Sequence, residues 1–253
     1  MNPAPATPAP TAVKPRRSTL IWSALRKRPD PLTSIAFTIP IFLIYHLGVL
    51  YVDRRSRVDY VSKWALDMLN ASVPAYVMTT LAFTLVLLLT VWVEQRRGAL
   101  GHSSLGRVLV EGLACALLVL MGVGWASHQL LHTNDTQALT SLGPIDKIVL
   151  AAGEGFHEEL VFRALILSGG TFLLRKLFSL GTRVSLLIGI VVSSIASALV
   201  HNIGAFGEPF VWQVAAWRVL EGLLFAMLYV ARGFAASVYA HSFYEALVLF
   251  VYA

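Results

Sequence analysis

The chain has 253 residues, 57% of them hydrophobic and 13% charged, with a net charge of +6. A mean hydropathy of +0.69 excludes an ordinary water-soluble domain and describes a polytopic membrane protein. Its basic residues sit in short groups beside apolar runs, as topology signals and headgroup contacts do, which speaks against a nucleic-acid partner, and the single Cys115 has no disulfide partner and makes no thiolate zinc cluster.

Residues 1–30 begin rich in Pro and Ala and turn basic, which predicts a disordered cytoplasmic tail without the apolar stretch of a secretory leader. Residues 31–253 then read as one membrane-embedded, all-α bundle. Apolar windows predict about seven spans, near 34–51, 73–93, 108–126, 145–168, 184–202, 211–230 and 234–252. Lys14, Arg16, Arg17, Arg26, Lys27 and Arg28 precede the first window, Arg96, Arg97 and Arg107 follow the second, Arg175, Lys176 and Arg183 follow the fourth, and Arg232 follows the sixth. By the positive-inside rule these lie in the cytoplasm with the N terminus, in a multi-pass cell-membrane protein, and the bias toward Arg over Lys hints at a bacterial inner membrane. Loop 52–72 breaks the alternation, since it carries Arg54, Arg55, Arg57 and Lys63 beside Asp53, Asp59 and Asp67. Val58, Val61, Ala65 and Met68 recur there at helical spacing, which predicts a segment lying flat at the interface.

The fourth window is where chemistry is expected, because it carries Glu154, His157, Glu158, Glu159 and Arg163. A charged side chain at the centre of a lipid-facing helix costs about 2.5–3.5 kcal/mol on insertion scales, so these groups must face protein or trapped water. Two readings are open: an acid/base centre inside the membrane, or an ion-paired helix that holds a bundle together. On an α-helix Glu154 and Glu158 share a face, and Glu159 stands one turn before Arg163. Pairing of Glu159 with Arg163 leaves Glu158 directed elsewhere as the candidate general base. Arg163 is either a structural counter-ion or part of the catalytic set.

Arg218 and Glu221, three apart in the sixth window, read as a structural pair. His201 closes the fifth window, and His241 lies inside the seventh with Glu245 one turn further on. Each histidine alone suits an interhelical hydrogen bond, but two of them with a glutamate pair point toward a site. Ser193, Ser194, Ala196, Ser197 and Ala198 would let the fifth helix come close enough for His201 to reach the carboxylates. His157-Glu158 opens like a zinc-peptidase helix, yet the second His is missing because position 161 is Val161. Glu158, His201 and His241 are acceptable zinc ligands, so a bound zinc ion stays open, although no cofactor is the first expectation. No Gly-x-Ser-x-Gly elbow supports serine chemistry.

The order Glu158-Glu159-Leu160-Val161-Phe162-Arg163, then His201, then His241 after a short Arg-Gly turn resembles the CPBP family of CAAX proteases and bacteriocin-processing enzymes, over residues 145–252. That resemblance implies an intramembrane endopeptidase of the glutamic type. Glu158 and His201 would activate water, His241 and the residue one turn later would stabilise the oxyanion, and Glu159 and Arg163 would complete the catalytic set. Its implied substrate is a membrane-anchored or lipidated protein cut near its hydrophobic segment. The competing class is a transporter or immunity scaffold in which the same polar residues pair structurally. Two positions depart from the family pattern: Ser197 stands where members usually have Phe, and Glu245 where they commonly have Asn or Asp. An amide donates hydrogen bonds to a developing oxyanion, whereas an ionised Glu245 repels it.

Overall fold

The computed structural model describes residues 29–52, 56, 59–97, 104–130, 142–203 and 209–251, all of them in helices or the short segments that join helices. Most of the predicted tail lies outside these residues, and its last residue starts the fold. Asp30 accepts the Thr33 amide at 2.9 Å, and Pro31 enters the first turn of α1 (Pro31–Phe37). Pro40 has no amide to donate, so the helix breaks at Thr38 and α2 (Ile39–Gly48) leaves at 43° to α1. There follow α3 (Tyr60–Met68), α4 (Val73–Arg96), α5 (Leu105–Leu130) and α6 (Pro144–Glu158). The last of these widens into a π-helical stretch, Glu159–Gly169. Beyond it come α7 (Gly170–Phe178), α8 (Thr182–Val200), α9 (Trp212–Arg232) and α10 (Phe234–Val251).

A helical membrane bundle is what the composition requires. Among the described residues five helices are long and apolar enough to cross a bilayer, or six if α1 and α2 form one bent span, against the seven read from the sequence. The remaining window, 145–168, maps onto α6 and the π-helical stretch. It is a continuous helix in which Glu158, Glu159 and Arg163 are buried in protein, with Glu159 and Arg163 at 0% and 1% exposure, so lipid solvates none of them.

The centre of the bundle is α10. Every residue from Phe234 to Ser242 is buried, and the helix is enclosed by α5, α6 and α9. Such close contact requires small residues. A Cβ at Gly155 of α6 would stand 2.7 Å from the Ser242 Cα, so only glycine lets these two backbones touch. The small face expected on the fifth window is present as Ser193, Ser194, Ser197 and Ala198, all buried on α8 toward α9 and the π-helical stretch.

Loop 52–72 is more deeply anchored than its interfacial pattern implies. Trp64 and Met68 of α3 are exposed, as expected, but Asp59 is buried. It caps α3 through the Ser62 amide (2.8 Å), accepts the Tyr45 hydroxyl (2.6 Å) and faces His157 Nε2 at 3.3 Å. Arg54, Arg55 and Arg57 lie outside the described residues.

Candidate active site

The helical turn fixes which way each polar group on α6 points. Successive residues are rotated by about 100°, so His157 and Glu158 leave the helix in different directions. His157 turns toward α2, where the ring packs edge-on against Tyr45, while its Nδ1 lies 3.0 Å from the Gly153 carbonyl one turn back on α6. Glu154, on the face of Glu158, accepts the Ser56 hydroxyl at 3.3 Å. Glu158 itself points toward α8 and α10.

Both Glu158 oxygens are engaged, Oε1 from the end of α8 and Oε2 from α8 and α10. Oε1 lies 3.5 Å from Nε2 of His201, the residue that caps α8. Oε2 accepts the Ser197 hydroxyl at 3.2 Å and lies 4.0 Å from Nε2 of His241. Ser197 thus binds Glu158 directly from the position where the family usually has Phe, a contact that its place one turn before His201 hinted at without specifying.

His241 is held on two sides. Its Nδ1 lies 3.0 Å from Glu159 Oε1, and since a carboxylate only accepts, the ring carries the Nδ1 proton and turns Nε2 toward Glu158 and Glu245. Phe225 of α9 stacks on the imidazole face at 4.5 Å with 12° between planes. Behind Glu159 stands Arg163, with Nε 3.6 Å from Oε2. The pair read from the sequence is therefore present, looser than on a regular α-helix, because the π-helical turn aligns residues five apart rather than four. Glu159 does more than neutralise Arg163, since it also orients His241.

Glu245 Oε1 lies 3.8 Å from His241 Nε2. All six residues expected to form the catalytic set, Glu158, Glu159, Arg163, His201, His241 and Glu245, therefore come together from α6, the π-helical stretch, the end of α8 and α10. One more joins them. Glu221 of α9 brings a carboxylate oxygen within 4.8 Å of ligand atoms on both His241 and Glu245. Its spacing from Arg218 suggested only a structural pair, and Arg218 does stand near enough to attract it. Nothing in the local sequence around Glu221 announces His241 as a neighbour, because that contact depends on how α9 crosses α10. Among the described residues this trio is the one group of three with metal-ligand spacing, and Glu158 and His201 are not in it. The side chains of His201 (19% exposed) and Glu245 (25%) reach the boundary of the cluster, while those of Glu158, Glu159 and Arg163 do not.

Fold and site together define a multi-pass helical membrane protein with a buried acid–imidazole centre shared by several helices. The family model described as type II CAAX prenyl endopeptidase Rce1-like matches residues 141–247, which run from just before α6 through most of α10. Over this segment the chain is similar to that CAAX-protease family, and the likeness supports a CAAX-type intramembrane endopeptidase. No curated protein and no solved structure matches the chain.

Proposed function

We propose that the protein hydrolyses a peptide bond of a membrane-anchored or lipidated protein, close to its hydrophobic segment, with Glu158 as the general base for water. The observation that carries this reading is the flanking of one buried carboxylate by two imidazoles from separate helices, His201 at 3.5 Å and His241 at 4.0 Å. Paired carboxylate and imidazole groups within reach of one water are what general-base hydrolysis needs.

In this mechanism Glu158 takes a proton from water, positioned with the help of His201, as the water oxygen bonds to the scissile carbonyl carbon. The carbonyl oxygen becomes an oxyanion facing His241 Nε2. Collapse of the tetrahedral species breaks the C–N bond, and the departing amine takes the proton from Glu158. Ser197 steadies the Glu158 carboxylate, while Glu159 and Arg163 keep His241 turned toward the reacting atoms. Water and substrate enter where His201 and Glu245 are partly exposed. The basic loops support an N terminus in the cytoplasm, and a bacterial inner membrane, the reading suggested by the bias toward Arg, would argue against a prenylated protein as substrate.

Glu158→Gln keeps the shape of the side chain and removes its basicity. Membrane proteomes of cells carrying the natural chain, the E158Q variant or no chain separate the outcomes. Shortened membrane-anchored proteins found only with the natural chain support the proposal. The same shortened products at equal abundance from E158Q would remove Glu158 from the base role.

A further inference from the structure

The oxyanion side of the site is crowded with carboxylate groups. Around His241 stand Glu158, Glu159, Glu221 and Glu245, whereas the guanidiniums beside them are Arg163 and Arg218. An oxyanion hole must present positive charge or hydrogen-bond donors to the developing negative charge. Where related proteins commonly place the shorter Asn or Asp, this chain has Glu245, and α9 adds Glu221 beside it.

The donor geometry offers a resolution. His241 is 3% exposed, its Nδ1 is committed to Glu159, and its Nε2 is aimed between carboxylate oxygens at 3.8 and 4.0 Å, too far for hydrogen bonds. Ligands held at about 2.0–2.2 Å from a tetrahedral ion lie about 3.4 Å from one another, so 3.8 Å between His241 Nε2 and Glu245 Oε1 needs only a small inward shift to bind a common ion. Glu159 behind Nδ1 is also the partner that a metal-binding imidazole characteristically has, since it fixes the tautomer and strengthens the free nitrogen as a ligand.

We propose that Glu221, His241 and Glu245 form a binding site for a divalent transition-metal cation of the zinc class, which would stabilise negative charge beside Glu158. One imidazole and two carboxylates suit zinc, and three protein ligands leave a position open for a substrate oxygen. The site is distinct from the Glu158, His201 and His241 set that residue types alone suggest, and shares only His241 with it. The cation's role in turnover rests on the peptidase reading above, whereas the site rests on its donor atoms.

The test uses the full chain, purified in detergent, stripped with chelator and titrated with zinc or cobalt ions alone. Metal content per chain and the visible absorption of the cobalt form are followed. The expected result is about one equivalent bound, with Glu221→Gln and Glu245→Gln each weakening binding by at least about tenfold. Glu158→Gln should still bind one equivalent while losing cleavage, so failure of the peptidase reading and failure of the metal site are separable. Glu221→Gln/Glu245→Gln together should leave no saturable binding. Absence of saturable binding to the natural chain would overturn the proposal. So would unchanged affinity in monodisperse E221Q and E245Q.

Discussion

Glu159 has two partners, and replacing it tests whether it serves one or both. Glu159→Gln removes the charge that faces Arg163 and presents an amide to His241 Nδ1. Arg163 is 1% exposed, so the change strands a guanidinium inside the protein, a loss of about 3–5 kcal/mol in stability. Separately, an amide donates as readily as it accepts, so it no longer fixes which imidazole nitrogen carries the proton, and a rate loss of about 10²–10⁴-fold is expected for a mispositioned acid/base group. The double variant Glu159→Gln/Arg163→Met separates these effects. It removes both buried charges and should regain most of the thermal stability, because neutral replacements of a buried pair are close to neutral in energy. It should not regain cleavage. The assay is melting temperature in detergent alongside the initial rate of cleavage of a substrate found by membrane proteomics, expressed per folded molecule. If the double variant cleaves at nearly the natural rate, Glu159 is only the counter-ion of Arg163 and its orientation of His241 is irrelevant to turnover.

Three further outcomes follow from contacts around the site. Ser197→Ala removes the hydroxyl that donates to Glu158 at 3.2 Å, and a hydrogen bond to a charged group is worth about 1.5–3 kcal/mol, so kcat should fall at least about tenfold while KM stays close to its natural value. Gly155→Ala drives a methyl group into the Ser242 backbone and should cost about 1–3 kcal/mol or more, read as a lower melting temperature together with lost activity as α6 and α10 part. Asp59→Asn disturbs the junction of Tyr45, Ser62 and His157 on the side of α6 that faces away from Glu158, so a loss of about 1–3 kcal/mol in stability is expected with the rate per folded molecule unchanged.

What could be read in the sequence was whatever repeats along a single helix. Charges stranded in an apolar window marked α6 and its continuation, the i, i+4 spacing paired Glu159 with Arg163 and His241 with Glu245, and small residues on α8 marked the face that approaches its neighbours. Contacts that depend on how two helices cross were not legible. Glu221 next to His241 is one, and the hydrogen bond from Ser197 to Glu158 is another, because both depend on rotations set by packing along the whole bundle. Asp59 shows the same limit in a loop. Its neighbouring charges suggested an interfacial segment, while its three buried partners come from α2, α3 and α6.

The two departures from the family pattern lie on opposite sides of the same atoms, and they act in opposite directions. Ser197 adds a donor to Glu158 Oε2, which favours the carboxylate as a fixed acceptor ready to take a proton from water. Glu245 and Glu221 add negative charge on the far side of His241, where the reaction would place an oxyanion. A base held more firmly gains little if the charge it generates is repelled by carboxylates gathered around His241. A cation bound on the His241 side, as proposed above, would offset that repulsion. The imidazole, with Glu159 fixed behind it, is the one ligand common to both halves, so substituting His241 should abolish base positioning and cation binding together. Substituting Ser197 should impair only the first, and Glu221 only the second. Metal content and cleavage rate measured on the same three preparations distinguish that pattern from a site whose two halves fail as one.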